Sequence, residues 1–171
     1  MRLLLLIVFL ISVTYADIKK INTFSAEFVQ TVKDEKGALL TYSGKILAKK
    51  PQYALWKYKK PVAKSIYISP YRLTVVEPEL EQVITRNISS EFNFFDMLKR
   101  AKKISSKHYE THIEDTTYHI FLDGDSIVSI QYTDEFDNKV TILFSHQKIN
   151  KEIDTNLFTP TYPLDYDIIN S

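Results

Sequence analysis

Apolar and polar residues alternate with a period of two along most of this chain, and the alternation predicts strands. In FSAEFVQT, Phe24, Ala26, Phe28 and Gln30 share one face, and Ser25, Glu27, Val29 and Thr31 share the other. KDEKG then reads as a turn. In LLTYSGKILAKKP, Gly44, Ile46, Ala48 and Lys50 fall on the face assigned inward, and Pro51 ends the run or lies at its edge. Next, Ala54, Trp56 and Tyr58 alternate with Tyr53, Leu55 and Lys57, so both faces of that strand are partly apolar. KSIYIS, RLTVVE, YHIFLDG, SIVSIQYTDE and KVTILFSHQKI repeat the pattern between short polar turns, as a meander of hairpins does.

One segment departs from it. From Ile88 to Ile104, Phe94, Leu98 and Ala101 recur at helical spacing, Ser89 or Ser90 stands ready to cap, and lysines gather at the end. Ile88, Phe94, Phe95, Met97, Leu98, Ala101 and Ile104 would cover about 200° of that helix. Asn93, Asp96, Arg100 and Lys103 form its polar strip. The apolar face is wider than a helix lying on one sheet surface requires. The expected fold is mainly β (α+β): one antiparallel sheet long enough to curl, a short N-terminal helix, and an apolar helix placed to cover the concave face.

The first residues, MRLLLLIVFLISVTYA, pair one basic residue with an apolar run ending in Thr14-Tyr15-Ala16. That is the pattern of a signal peptide cleaved after Ala16, and the run is short for a bilayer span. Residues 17 to 171 suit a single domain. Losing Arg2 brings the formal charge from +1 to zero, which argues against a broad electrostatic footprint for nucleic acid or anionic membrane. The chain contains no Cys and only three glycines, so thiolate chemistry and Gly-rich phosphate loops are excluded.

His108 and His112 are spaced i, i+4, as two metal ligands on a helix would be, but their segment reads as strand and no third ligand stands at a familiar spacing. They are taken as surface histidines. His119 and His146 are isolated in the sequence, and no nucleophile elbow orders the serines and aspartates. Neither catalysis nor a metal or other cofactor is expected. The large rings are more informative: Phe24, Phe28, Trp56, Tyr58, Phe92, Phe94 and Phe95 either fill a dense interior or line a hole within a curled sheet. Lys50, inward by parity, either snorkels to solvent or takes carbonyl partners at the rim of such a hole.

FSAEFVQTV at 24 to 32, Gly44, the KP and W of KKPQYALW, EPELEQ at 77 to 82, Ile153-Asp154 and LFTP at 157 to 160 together resemble the LolA family of periplasmic outer-membrane lipoprotein carriers. The resemblance runs in order over residues 17 to 171. It implies an unclosed β-barrel with a helical lid over a hydrophobic cavity. It further implies acyl chains as cargo, an inner-membrane ABC transporter that releases the lipoproteins, an outer-membrane acceptor, a monomeric carrier and a periplasmic location. On this reading Phe24, Phe28, Ile46, Trp56, Tyr58, Phe92, Phe94, Phe95 and Leu98 form the acyl-chain cavity and lid, and Lys50 is the lid latch. Two positions depart from the family pattern: Lys50 stands where the family usually has Arg, and Ala54 where some members carry a large ring. The alternative is a periplasmic lipid-binding or lipoprotein-sensing regulatory domain of the same fold.

Overall fold

The computed structural model describes residues 17–88 and 94–170. The expected signal segment, the capping serines 89 and 90, and Phe92 lie outside the described residues. The described residues form twelve strands: β1 (Thr23–Lys33), β2 (Leu39–Lys49), β3 (Tyr53–Lys60), β4 (Lys64–Ser69), β5 (Arg72–Glu77), β6 (Gln82–Asn87), β7 (Lys102–Lys103), β8 (His108–Ile113), β9 (Thr116–Asp123), β10 (Ser126–Thr133), β11 (Lys139–Ile149) and β12 (Asp167–Asn170). They make one sheet in the order β12-β6-β5-β4-β3-β2-β1-β11-β10-β9-β8-β7. Two meanders therefore meet at β1, which pairs antiparallel with both β2 and β11. The sheet curls without closing, and its edges are β12 and β7.

Two hairpins on either side of β1 share one turn design. Oδ1 of Asp34 accepts from the backbone N–H of Ala38 at 2.7 Å, and Oδ1 of Asp134 accepts from that of Asn138 at 2.9 Å. The αL position is Gly37 in the first and Asp137 in the second. β11 bulges where His146 takes a φ of 51°. Beyond the bulge, the Gln147 side chain substitutes for a ladder partner: its Nε2 donates to the Ile127 carbonyl at 2.8 Å and its Oε1 accepts from the Ile127 N–H at 3.1 Å.

The concave face holds the main core. Phe24, Phe28, Ile46, Ala48, Ile120, Ile127, Ile130, Val140, Ile142 and Phe144 are all buried there. On the convex face a smaller cluster joins Leu55 to Ile153 and Phe158, with Leu47, Tyr53 and Tyr67 against it. This explains why β3 is apolar on both sides, and what the ID and LFTP motifs do. Asp154 caps the turn Thr155–Phe158, and Nζ of Lys49 donates to the Ile153 carbonyl at 2.7 Å and to Oγ1 of Thr155 at 2.8 Å.

Four expectations are corrected. The N-terminal helix is only a 3-10 turn, Ile18–Lys20, capped by Asp17. The central helix, α1, spans Phe94–Arg100. Ile88 lies outside it, and Lys102 and Lys103 pair with Glu110 and Tyr109 as β7. Ile104 therefore belongs to no apolar helix face and is 56% exposed. Finally, the sheet is not wholly antiparallel: the C-terminal segment, after crossing the convex face, adds β12 parallel to β6. Among the described residues no helix is long and apolar enough to cross a membrane.

Candidate functional site: the lidded concave face

α1 lies over the concave face of the sheet and buries Phe95, Met97 and Leu98, while Lys99 and Arg100 of its last turn face solvent. Phe94 reaches down to the sheet, its ring centroid 5.1 Å from that of Phe24 and 5.5 Å from that of Phe95. Below, the rings interlock edge to face: Phe24 with Phe144 at 5.5 Å, Phe28 with Trp56 at 5.1 Å, and Phe28 with Tyr58 at 5.0 Å.

Between helix and sheet a cavity of about 130 Å³ remains. Its roof is Phe94, Phe95 and Met97; its walls are Trp56 and Ile68 on one side and Tyr118, Ile130, Tyr132 and Ile142 on the other. Gln52, Tyr53 and Ala54 complete one end. The smallness of Ala54 is part of the shape, because a large ring there would occupy the hole. A wider recess of about 620 Å³ runs along the outside of the lid, between the N-terminal turn and α1, with Lys19, Lys50, Asp96 and Lys99 on its rim. Size alone would favour that recess. The smaller one lies between sheet and lid and is lined mainly by apolar side chains, so it is the better seat for an apolar ligand.

The expected site residues divide accordingly. Trp56, Phe94 and Phe95 wall the cavity. Phe24, Phe28 and Ile46 are 0%, 2% and 0% exposed and form the layer beneath. Tyr58 stands to the side, donating to Oε1 of Gln30 at 3.0 Å. Leu98 is buried against the N-terminal side, along the outer recess. Sequence reasoning overlooked Tyr118, Ile130, Tyr132 and Ile142, although the alternation of β9, β10 and β11 carries the same inward signal as that of β1 to β3.

Burial keeps the tyrosines neutral. It pushes Tyr132 up to about 12, with further contributions from Tyr118 and Asp134. Burial likewise raises Tyr58, followed by Tyr132 and Tyr42, and raises Tyr118 against the opposing hydrogen bond of Thr116. Near neutral pH these rings bring hydroxyl dipoles and no charge to the site.

Lys50 follows Ala48 past the end of β2, at the rim. Its Nζ donates to Oδ1 of Asn22 at 3.0 Å and to the Lys19 carbonyl at 3.3 Å, and lies 5.9 Å from the centroid of the Phe95 ring. Lys50 is exposed and also has a backbone carbonyl partner, supplied by the N-terminal turn, so it combines features of both readings. Lys50 thus touches both the turn and the lid.

The histidines lie away from this site. His112 meets Oγ1 of Thr117 at 2.9 Å, and His146 pairs with Glu27 at 3.1 Å. His119 is not isolated in the sheet. Pairing of β8 with β9 sets it opposite Glu110 and beside His108, so a third candidate ligand exists that linear spacing concealed.

Comparison with known proteins agrees with this architecture. Residues 19–161 match the family model of outer membrane lipoprotein carrier protein LolA. A relative from Wolinella succinogenes, named outer-membrane lipoprotein carrier protein, is 33% identical over 159 residues, which is 92% of each chain. One of the same name from Campylobacter jejuni is 38% identical over 148 residues, 86% of each chain. Among solved structures, a LolA superfamily protein from Nitrosomonas europaea superposes with a TM-score of 0.53 at 10% identity, covering 82% of this chain and 91% of that one. The likeness to that structure concerns fold alone. The sequence matches go further, and with an unclosed sheet, an apolar hollow and a helix above it they place the chain in the outer membrane lipoprotein carrier protein LolA family.

Proposed function

We propose that this protein carries lipoproteins to the outer membrane by sheltering their acyl chains on the concave face, beneath α1. One observation supports the reading above the others: the helix that covers the hollow presents phenylalanines where an acyl chain would lie, and leaves only about 130 Å³ empty. Ligand pockets for drug-sized molecules run to roughly 300–1,000 Å³. Loading therefore requires α1 to move away, with acyl methylenes taking over the contacts of Phe94, Phe95 and Met97.

Exchange of one apolar surface for another keeps the net free energy small. Each buried CH₂ stabilises by roughly 0.8 kcal/mol, so three full chains buried completely, on the order of 35 kcal/mol, would go well beyond the practical ceiling of about 20 kcal/mol for non-covalent affinity. Displacing the lid offsets part of that gain, and a carrier needs the offset in order to release its cargo. In this scheme Trp56 and the rings around it receive the chains, and Phe24, Phe28, Ile46 and Tyr58 support them. Leu98 moves with the lid, and Lys50 helps to hold it shut.

The protein would act as a monomer in the periplasm after cleavage at Ala16, taking cargo from an inner-membrane ABC transporter and handing it to an outer-membrane acceptor. Native mass spectrometry of protein isolated gently from cells with an active lipoprotein transporter tests this. One-to-one complexes with acylated proteins, dissociated by detergent, are expected. Recovery of free lipid alone, even after crosslinking, would count against lipoprotein carriage.

A further inference from the structure

On the convex face, away from the cavity, β8 and β9 bring His108, Glu110 and His119 together. In β8 the side chains of Tyr109, Thr111 and Ile113 are buried, so His108, Glu110 and His112 alternate onto the other side. Glu110 and His119 are direct cross-strand partners, and His108 is diagonal to His119. The resulting distances are short: 3.2 Å from Nε2 of His108 to Nδ1 of His119, and 3.5 Å from that same Nδ1 to Oε2 of Glu110. All three donor atoms lie within 4.8 Å of one another.

We infer that this cluster is a binding site for a divalent transition-metal ion of the zinc type. Zn–N bonds of about 2.0–2.1 Å in a tetrahedron set neighbouring ligand atoms about 3.3 Å apart, and the two measured separations fall on either side of that value. Two imidazoles and one carboxylate suit Zn²⁺ or Cu²⁺ better than Ca²⁺ or Mg²⁺, which prefer all-oxygen shells. The ligands are partly held before any ion arrives. The His108 ring stacks on Phe121 with centroids 4.7 Å apart and planes 9° apart, and the ladder fixes the backbone spacing of Glu110 and His119. The fourth position faces solvent, because all three residues are only half-buried. Lys102 of β7 stands opposite Glu110 in the ladder and so brings a positive charge to the same side of the sheet; neighbouring Lys107 is paired with Asp123 at 3.3 Å. A bound ion would clip the β8–β9 hairpin together beside the open edge of the sheet.

Calorimetric titration of untagged, metal-stripped protein with Zn²⁺ is the test, joined by Cu²⁺ electron paramagnetic resonance. One equivalent of Zn²⁺ is expected, with superhyperfine coupling to two imidazole nitrogens in the Cu²⁺ spectrum. His119→Ala and Glu110→Gln are each expected to weaken Zn²⁺ binding at least about ten-fold, a scale typical of losing even a supporting metal contact. His112→Ala should change it less than about two-fold, and Lys102→Ala should tighten it by removing a like charge. Absence of stoichiometric binding would overturn the site. So would binding that survives both His119→Ala and Glu110→Gln or disappears in His146→Ala.

Discussion

Phe94 of the lid and Phe24 of the sheet face each other with ring centroids 5.1 Å apart, tilted by 31°. The two differ in what surrounds them. Phe24 is fully buried and also packs edge to face on Phe144, whereas Phe94 is half-buried and borders the cavity. Phe24→Ala is expected to cost about 3–5 kcal/mol of global stability, since it empties a close-packed layer. Phe94→Ala should cost distinctly less and should raise the uptake of an apolar fluorescent probe by weakening the lid. Urea unfolding and probe titration on both variants check the contrast.

Lys50 joins the rim to both the N-terminal turn and the lid. Lys50→Leu removes its hydrogen bonds to Asn22 and the Lys19 carbonyl and its contact with the Phe95 ring, while adding apolar surface at the mouth. Loading is expected to be favoured and release slowed. The measurement is the rate of cargo transfer from preloaded carrier to outer-membrane vesicles. Transfer at the wild-type rate would show that Lys50 is not a latch.

Gly44 is required by space, with no unusual backbone angle involved. A Cβ there would run into the carbonyl of Lys57 and come within 3.0 Å of the Phe28 ring, at the point where the β2–β3 register shifts. Gly44→Ala is expected to destabilise by about 1–3 kcal/mol, as overpacking does, and to disturb the Phe28–Trp56–Tyr58 cluster. Its chemical denaturation midpoint and the fluorescence of Trp56 read out both effects.

Tyr132 ties stability to alkaline pH. Its hydroxyl ionises near pH 12 in the fold and near pH 10 in the unfolded chain. Below pH 10 both states keep the proton and its contribution is fully present. From pH 10 to 12 the unfolded chain gives up the proton first, so stability falls as pH rises. Tyr132→Phe should therefore lose less stability across that interval than the wild type, as measured by urea midpoints, and the smaller upward push on Tyr58, to which Tyr132 contributes, acts in the same direction.

Most of the sheet was legible in the sequence, because alternation carries both strand and face: Phe24, Phe28, Ile46 and Trp56 point inward as their parity requires. The helix was legible in kind and overextended in length. Its apolar periodicity continues through Ala101 to Ile104, but Lys102 and Lys103 find backbone partners in β8, and that pairing decides the boundary. The parallel strand β12 was hidden because DIIN has no alternation and acquires its partner only through the long path of the tail over Leu55. The cavity walls Tyr118 and Tyr132 lie far from Trp56 in sequence and join it by curvature alone. His108, Glu110 and His119 are separated by a linear spacing rule as well, but it is the register of one hairpin that unites them.

The central claim is that acyl chains occupy the hollow beneath α1. A photoreactive phenylalanine analogue placed at Trp56 in the cavity wall, and separately at Leu143 on the outward side of β11, tests it in cells that are sorting lipoproteins. Crosslinks from position 56 to acylated proteins, and few or none from position 143, are the expected result. Equal crosslinking from both positions, or from 143 alone, would contradict it.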